Sequence, residues 1–270
     1  MGGVLRRHIL SLSGGKDSTA LAVLMRDRLP DVEYAFCDTG MELPETYEYL
    51  ARLEAYLGRP ITTLTHQGGG FDALLAGRRN FLPSPQVRWC TDYLKIKPFE
   101  RYIGDDLCFN YIGIRADENR KGYVSSRPNI VPKYPFVELG ITKDDVLNIL
   151  MDSGLGVPPY YQWRSRSGCY FCFFQQRIEW VGLLENHPDL FRRAADYEKE
   201  DPITNERYTW NQRESLADLA RPERIRQIRD EHNKRVEYLA TKYGKNRTLA
   251  DVLSDEEEGE AVRPCVVCSI

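Results

Sequence analysis

The sequence predicts an α/β protein in which a parallel, twisted sheet is flanked by helices and followed by a smaller helical C-terminal region. In the first half of the chain, short apolar runs bounded by turn residues alternate with stretches of helical periodicity. After about Gly154 the alternation stops, and a Pro- and Arg-rich stretch leads into helical patterns. Strands separated by helices need crossover connections, so we expect a parallel sheet that binds ligands at the carboxyl ends of its strands.

The strand candidates are short apolar segments that end at turn signals, namely Val4–Leu12, Val32–Cys37, Ile61–Leu64 and Leu107–Ile114. The helical patterns between and after them cover Thr19–Arg28, Pro44–Leu57, Thr91–Ile103 and Thr142–Asp152. The last of these begins with Thr-x-x-Asp, the pattern of a capping box. Further helices are predicted over Gln175–Glu185, Pro188–Glu200 and Pro222–Lys242. We therefore expect a sheet domain at 1–154, a cysteine-containing helical region at 155–254 and an acidic tail at 255–270.

The composition is that of a globular chain without membrane contact. It has 270 residues, of which 42% are hydrophobic, and this is enough for a full core. The mean hydropathy is −0.50, and no apolar run approaches the ~18 residues of a membrane-spanning helix. The short apolar stretch near the N-terminus runs directly into a glycine-rich loop, so we expect a buried strand there instead of a signal peptide. A cytoplasmic protein is the expectation.

The net charge of −3 does not indicate a nucleic-acid-binding protein, but the charge is unevenly distributed. Residues 221–247 carry nine basic and four acidic residues, whereas 255–260 is an acidic run. The basic stretch fits a solvated helix face or a surface that contacts phosphates, and the charges alone do not choose between them.

The cysteines indicate metal or redox chemistry. Seven are present, at positions 37, 90, 108, 169, 172, 265 and 268. A chain this long and apolar does not need a disulfide scaffold, and two Cys-x-x-Cys pairs in a cytoplasmic protein are typical of metal or redox sites. The four histidines form no visible set of ligands.

A phosphate-binding loop is predicted where the first strand meets the first helix, at Ser13-Gly14-Gly15-Lys16-Asp17-Ser18. Paired glycines allow a tight turn that directs backbone N–H groups at an anion. The helix N-terminus adds its dipole, and Lys16 adds a positive charge. The loop is not a Walker A motif, because Leu10 and Asp17 stand where that motif needs Gly and Ser or Thr.

This loop resembles the signature of the adenine nucleotide α-hydrolase (PP-loop ATP pyrophosphatase) superfamily, and specifically of its PAPS-reductase-like branch. Three further segments are similar to that branch and occur in the same order: Cys37-Asp38-Thr39-Gly40, Pro44-Glu45-Thr46-Tyr47 and Gly113-Ile114-Arg115-Ala116-Asp117-Glu118. The resemblance covers roughly residues 8–180. It implies an adenine nucleotide α-hydrolase-like, Rossmann-like fold that binds ATP and Mg²⁺ and attacks the nucleotide at the α-phosphate.

The resemblance also implies roles for particular residues. Lys16 and Ser18 would contact phosphate oxygens, and Asp17 would help to position Mg²⁺. The backbone near Phe36–Asp38 would read the adenine, and Arg115 and Arg120 would contact phosphates unless they are solvated loop residues. The nucleotide-binding set implied in this way is Ser11, Ser13, Gly14, Gly15, Lys16, Asp17, Ser18, Phe36, Asp38, Thr39, Gly113, Arg115 and Arg120.

A metal site is predicted from Arg88-Trp89-Cys90-Thr91 and the distant Gly168-Cys169-Tyr170-Phe171-Cys172. Soft thiolates select an iron–sulfur cluster or zinc over hard cations. Three cysteines would leave one iron of a 4Fe-4S cluster open for sulfide, as in sulfur-inserting relatives. Zinc held by Cys169, Cys172 and the C-terminal pair remains the alternative. Cys268 is the candidate fourth ligand, while Cys265 and Cys268 could instead carry a persulfide.

The pattern Arg-x-Cys-Thr…Leu-Lys with Gly-Cys-x-x-Cys resembles the sulfurtransferases of bacterial DNA phosphorothioation (Dnd/Ssp type). The resemblance implies adenylation of a DNA phosphate, sulfur transfer with release of AMP, and a cysteine desulfurase as sulfur donor. Arg164, Arg166 and residues 221–247 would contact the DNA backbone. The PAPS and APS reductases carry a different cysteine tail, so sulfonucleotide reduction is the alternative, as is tRNA thiolation. The oligomeric state is left open.

Overall fold

The sheet is built from five parallel strands in the part of the chain that the structure, a computed structural model, describes: residues 6–118, 125–200, 207–211 and 214–243. The strands are β1 (Arg6–Leu12), β2 (Glu33–Cys37), β3 (Ile61–Leu64), β4 (Leu107–Tyr111) and β5 (Ile130–Lys133). Their order across the sheet is β3-β2-β1-β4-β5. The chain therefore moves outward from β1 in one direction and then returns to continue on its other side.

The register places the ends of the central strands side by side. Leu12, the last residue of β1, pairs with Phe36 of β2, and Leu10 pairs with Tyr111 at the end of β4. A loop after β1 and a loop after β4 therefore leave the sheet next to each other, at the position where the strand order reverses. Open α/β sheets bind ligands in the crevice at this position.

Helices connect the strands and continue after the sheet. Their bounds are α1 (Lys16–Met25), α2 (Pro44–Leu57), α3 (Phe71–Gly77), α4 (Trp89–Thr91), α5 (Lys97–Ile103), α6 (Pro135–Leu139), α7 (Lys143–Asp152), α8 (Arg177–Asn186), α9 (Pro188–Asp196), α10 (Leu216–Leu219) and α11 (Pro222–Tyr243). A π-helical segment, Asp92–Ile96, lies between α4 and α5, and a 3₁₀ turn covers Pro159–Gln162. A two-residue antiparallel pair is formed by β6 (Lys199–Glu200) and β7 (Arg207–Tyr208).

Apolar side chains cover both faces of the sheet. Leu10 and Leu12 of β1 pack in one cluster with Leu21 of α1, Leu53 of α2 and Val146 of α7. Ile9 faces the other way, into a second cluster that includes Phe99 and Ile103 of α5. Helices on both faces and a fully parallel sheet confirm the predicted fold class.

Most predicted elements agree with the observed ones. The segments Pro44–Leu57 and Ile61–Leu64 are confirmed to the residue. Helix α7 begins after Thr142, whose backbone N–H donates to Asp145 Oδ2 at 2.8 Å, as the capping pattern predicts. The single helix predicted over Thr91–Ile103 is wrong in part, because Asp92–Ile96 is π-helical. Strand β5 and helices α3 and α6 were not predicted.

The described chain divides into two compact units. The first comprises residues 6–71 and 89–159 and contains the sheet, and the second comprises 72–88 and 160–243. The single domain boundary predicted near Gly154 stays a prediction. It does not account for residues 72–88, which group with the second unit. The acidic tail at 255–270 lies outside the described residues.

The second unit has an aromatic core of its own. Phe171 and Trp210 stack with ring centroids 4.8 Å apart, and the indole N–H of Trp210 donates to the Ala194 carbonyl at 2.8 Å. Gly182 of α8 lies so close to Trp163 that an added Cβ would come within 2.7 Å of the indole ring. Among the described residues, no helix combines the length and apolar character needed to cross a membrane.

Candidate nucleotide-binding site and cysteine turn

The predicted phosphate-binding loop, Ser13–Ser18, follows β1 directly and leads into α1. Ser18 braces it from within: its hydroxyl accepts from the Ser13 backbone N–H at 3.1 Å and donates to the Gly15 carbonyl at 3.2 Å. Thr19 adds a second bond to the same carbonyl, from its backbone N–H at 3.1 Å. The hydroxyl of Ser18 therefore stabilises the loop, and its predicted contact with a phosphate stays a prediction.

Two glycines allow neighbouring segments to approach this loop. Gly14 has φ +71°, and an added Cβ would lie 2.5 Å from Cγ2 of Thr46 in α2. Gly113, just after β4, would place a Cβ 2.9 Å from the Asp17 carbonyl oxygen. Separations below 3.0 Å are not tolerated by a real side chain without movement, so the residue types at both positions are dictated by packing.

The loop carries a compact network of charges. Asp17 Oδ2 lies 3.1 Å from Lys16 Nζ, and Asp17 Oδ1 lies 3.1 Å from Arg115 Nη1. Arg115 also contacts Asp117 and Glu118, each at 3.0 Å. Burial raises the pKa of Asp17, but Lys16 and Arg115 lower it by more, so its pKa lies below the ordinary value and the carboxylate is ionised at neutral pH. The structure thus brings together Lys16, Asp17 and Arg115, three residues of the predicted nucleotide-binding set, and their predicted contacts with a nucleotide stay predictions. It adds two carboxylates to which the sequence analysis gave no role.

The other predicted nucleotide-binding residues of the described chain lie at the ends of β1 and β2. Ser11 is buried, and its hydroxyl donates to Asn110 Oδ1 in β4 at 2.8 Å, so this side chain joins two central strands. Phe36 is buried at the end of β2. Asp38 accepts from the Gly40 backbone N–H at 2.7 Å in the turn that follows. Arg120 lies outside the described residues.

A buried acid beside this turn was missed by the sequence analysis. Glu42 is 6% exposed, and it accepts from the Thr39 hydroxyl at 2.8 Å and from the Met41 backbone N–H at 3.2 Å. Burial raises the pKa of Glu42 above its ordinary value, although Lys95 and Thr39 lower it. Lys95 is itself buried, on the π-helical segment. No local pattern distinguishes Glu42 from the exposed acids of α2, because only tertiary packing buries it.

The Cys-x-x-Cys pair forms a tight turn in the second unit. Cys172 donates its backbone N–H to the Cys169 carbonyl at 3.1 Å, and both thiols are partly exposed. The guanidinium of Arg164 holds the turn from inside, with Nη1 3.1 Å from the Gly168 carbonyl and Nη2 2.7 Å from that of Cys169. Two soft donors in one turn fit two ligands of an iron–sulfur cluster or of zinc.

The complete predicted ligand set goes beyond this turn. Cys90 belongs to the first unit, on α4, and Cys265 and Cys268 lie outside the described residues. Within the described ranges, no group of three or more His, Cys, Asp and Glu side chains is arranged to hold one metal ion. Cys169 and Cys172 thus fit the predicted group as a pair, and the participation of Cys90 and Cys268 stays a prediction.

The predicted DNA-contacting arginines need a correction. Arg164 is fully buried and bonded to backbone carbonyls, so its expected contact with a DNA backbone is wrong. In and just before α11, several basic side chains are paired with carboxylates, namely Arg221 with Asp218, Arg224 with Glu214, Arg226 with Glu223 and Arg229 with Glu185. Lys245 and Arg247 lie outside the described residues. The count of nine basic residues over 221–247 therefore overstates the positive charge that the described part of this stretch offers to a phosphate backbone.

The doubly wound parallel sheet and the glycine-rich loop at its switch point define a protein of the PP-loop class. Comparison with known families agrees with this class. Residues 7–172 match the phosphoadenosine phosphosulfate reductase domain family, and the chain belongs to that family. The predicted PAPS-reductase-like PP-loop superfamily is thereby confirmed.

Individual relatives are more distant. An uncharacterized protein of Methanocaldococcus jannaschii is 25% identical over 223 residues, which are 75% of this chain and 51% of that protein. The chain thus spans about half the length of this relative. A phosphoadenylyl-sulfate reductase from Candida auris superposes with a TM-score of 0.49 and 13% identity, over 60% of this chain and 81% of that one. A U34-tRNA thiolase from Methanococcus maripaludis, solved with its 4Fe-4S cluster, superposes with a TM-score of 0.41 and 15% identity. The superposition covers 71% of this chain and 70% of that one. At these TM-scores neither likeness bears on what the protein does.

Proposed function

We propose that this protein is an ATP pyrophosphatase that adenylates a substrate and supports sulfur transfer to it. The observation that carries the proposal is the Ser13–Ser18 loop at the switch point of the sheet, with two cations, Lys16 and Arg115, converging on Asp17 beside it. An ATP polyphosphate needs such a combination of backbone N–H groups, a helix N-terminus and positive side chains.

The residues around the loop have distinct tasks in the reaction. The glycine backbone binds phosphate oxygens, Lys16 and Arg115 balance their charge, and Asp17 takes part in holding Mg²⁺. An oxygen of the substrate attacks the α-phosphorus, the bond between the α- and β-phosphates breaks, and pyrophosphate leaves. Positive charge held in place before the reaction stabilises the charge that accumulates on the leaving pyrophosphate.

DNA is the proposed acceptor, and this part rests on the resemblance to the phosphorothioation sulfurtransferases. A non-bridging phosphate oxygen of the DNA becomes adenylated. A thiol reductant reduces the persulfide of a cysteine desulfurase to a thiol and sulfide, and this sulfide then attacks the phosphorus and displaces AMP. Cys169 and Cys172, with Cys90 as predicted third ligand, would hold an iron–sulfur cluster, which would supply a binding site for the sulfide. If zinc is bound instead, the turn has a structural role. A tRNA acceptor would use the same activation step.

Incubation with ATP, Mg²⁺, sulfide and DNA, supplied both as a single strand and as a duplex, tests the proposal directly. Pyrophosphate and AMP should appear together, and mass spectrometry of the digested DNA should find dinucleotides in which sulfur replaces oxygen. Lys16→Met should abolish pyrophosphate release, whereas Lys234→Met, a matched change at an exposed position on α11, should not. Pyrophosphate release by the Lys16 variant at the wild-type rate would contradict the proposed site.

The second candidate is reduction of a sulfonucleotide, which the name of the matched family favours. A sulfonucleotide carries the same adenosine and α-phosphate, so the loop suits it as well. Release of sulfite from phosphoadenylyl sulfate in the presence of a thiol reductant, with no pyrophosphate released from ATP, would favour this reaction over the first.

A further inference from the structure

Two phenylalanines and two arginines form a patch immediately after the cysteine turn, all within the second unit. The rings of Phe173 and Phe174 have centroids 4.5 Å apart. The guanidinium carbons of Arg88 and Arg166 lie 4.9 and 5.2 Å from the centroid of the Phe174 ring. All four side chains are partly exposed. We refer to Arg88, Arg166, Phe173 and Phe174 as the aromatic–arginine patch.

The next residue in sequence, Gln175, is a buried amide with unused hydrogen-bonding capacity. It is 8% exposed, and neither its Oε1 nor its Nε2 has a hydrogen-bond partner in the described part of the chain. Its backbone N–H donates to the Cys172 carbonyl at 2.9 Å, so its main chain is held against the cysteine turn. A buried polar group left without a partner is unfavourable, so a ligand that pairs with this amide would gain affinity from it.

The two chain segments that form the patch are rich in arginine. Residues 73–88 and 160–178 of the second unit contain six arginines, and the acids Asp72 and Glu179 border these segments. Arg164 bonds to carbonyls inside the turn, and Arg177 pairs with Glu214 at 3.3 Å. Arg88 and Arg166 lie against the Phe174 ring, and both are partly exposed.

These groups together suit one kind of ligand. Partly exposed aromatic rings stack with an unpaired base, an amide offers both a donor and an acceptor to a base edge, and arginines contact the flanking phosphates. An acidic peptide would use the arginines but would need neither the paired rings nor the amide. An intact duplex keeps its bases stacked and out of reach of such rings.

We propose that the aromatic–arginine patch and Gln175 bind one unstacked nucleobase with its flanking phosphates, so that the acceptor is a nucleic acid strand that is unpaired at this point. The inference deepens the proposed function and rests on it in naming the acceptor. Because Phe173 directly follows Cys172, a nucleotide bound here lies near the cysteine turn.

Binding of short fluorescent oligonucleotides, followed by anisotropy, tests this site without requiring turnover. The probes are a single-stranded DNA, the same sequence as RNA, and the DNA duplex. The wild type should bind the single strands more tightly than the duplex. Phe174→Leu should weaken single-strand binding about tenfold, while Tyr208→Leu, a matched loss of an exposed ring in the same unit, should leave it unchanged.

Two further variants keep the test informative if Phe174→Leu does not fold. Arg166→Gln should reduce the salt dependence of binding by about one phosphate contact, and Gln175→Leu should change the preference among homopolymers. The stronger of the DNA and RNA signals identifies the acceptor. Wild-type binding that favours the duplex, or affinities that are unaltered in all three variants, would overturn the inference.

Oligonucleotide binding tests the nucleobase site, whereas pyrophosphate release tests the proposed ATP pyrophosphatase. Binding of single strands that depends on the patch, together with no pyrophosphate release from ATP, contradicts the ATP pyrophosphatase and leaves the nucleobase site standing. Pyrophosphate release that depends on Lys16, together with no patch-dependent binding, does the reverse.

Discussion

Asp17 and Arg115 are 98 residues apart in the sequence, yet their side chains form an ion pair of 3.1 Å. The pair links the loop after β1 to the segment after β4, and the second oxygen of the same carboxylate lies 3.1 Å from Lys16. Both cations that are proposed to bind phosphate thus contact the same carboxylate. In the proposed function, nucleotide binding exchanges these contacts for contacts with phosphate oxygens.

This exchange predicts an effect of Asp17→Asn that depends on the metal. Without Mg²⁺, the variant should bind ATP about tenfold more tightly than the wild type, a change of ~1.4 kcal/mol, because Lys16 and Arg115 no longer have to leave a carboxylate. With Mg²⁺, only the wild type should gain affinity. Calorimetric titration in both conditions measures this. Asp117→Asn is the control, since Asp117 contacts Arg115 but not Lys16, and an equal effect in both variants would contradict the prediction.

Gly14→Ala should destabilise the protein more than Gly58→Ala. Both glycines have positive φ, +71° and +63°, and each substitution should cost about 1–2 kcal/mol for that reason alone. Only at Gly14 would the new Cβ meet another side chain, 2.5 Å from Thr46 Cγ2, and this should add about 1–3 kcal/mol. Urea unfolding measures the difference.

Removing Cγ2 through Thr46→Ser should recover part of the stability that Gly14→Ala loses. It should recover none of the stability that Gly58→Ala loses. If Thr46→Ser rescues neither variant, the close approach of α2 to the loop does not determine the residue type at position 14.

Glu42 predicts a pH dependence of stability. Its folded pKa is raised above the ordinary 4.5, so the folded state holds the proton more strongly than the unfolded state. The contribution of the protonated Glu42 carboxyl to the free energy of unfolding is therefore fully present below pH 4.5. It is lost as the pH rises through the folded pKa. The free energy of unfolding of Glu42→Gln relative to the wild type should accordingly rise with pH from 4.5 upward.

Urea unfolding across this pH range, with the exposed Glu48→Gln as control, tests the prediction. A difference between the wild type and Glu42→Gln that is constant with pH would show that burial of the carboxyl does not disfavour its ionised form.

The cysteine turn predicts metal content. Anaerobically purified wild-type protein should contain about four iron and four sulfide per chain, and Cys169→Ala and Cys172→Ala should lose them. Cys108→Ala is the control, because Cys108 is buried in β4 and burial raises the pKa of its thiol to about 12. Stoichiometric zinc without iron would contradict the cluster. Retention of iron by Cys90→Ala would remove Cys90 from the ligand set.

Local signals were sufficient for most of the fold. Helix α2 is flanked by Pro44 at its first position and Gly58 after its last, and both bounds were predicted correctly because proline and glycine act through their own backbone geometry. Strand β5 has no such signal. It is four residues long and contains Pro132, which a central strand does not tolerate, but β5 lies at the edge of the sheet, where a missing N–H does no harm.

The arginines and acids of the candidate sites were harder to place. Arg164 and Arg166 are two residues apart in a polar loop, and nothing in the local sequence separates the buried one, bonded to carbonyls, from the one that lies against Phe174. Glu42 likewise resembles the surface acids around it in the sequence, but it is buried, and Lys95 of the π-helical segment is near enough to lower its pKa. Burial of a charged group depends on what packs over it, and this is a property of the whole fold.

The sequence by itself determined the strand–loop–helix segment that is predicted to bind phosphate, because Ser13–Ser18 combines glycine backbone freedom, a lysine and a helix start within six residues. It also determined the parallel sheet, since strands and helices alternate along the chain. Only the tertiary structure decided which charges meet at the loop. Arg115 reaches Asp17 because β1 and β4 are neighbours in a parallel sheet, and neighbouring parallel strands bring their carboxyl ends to the same edge.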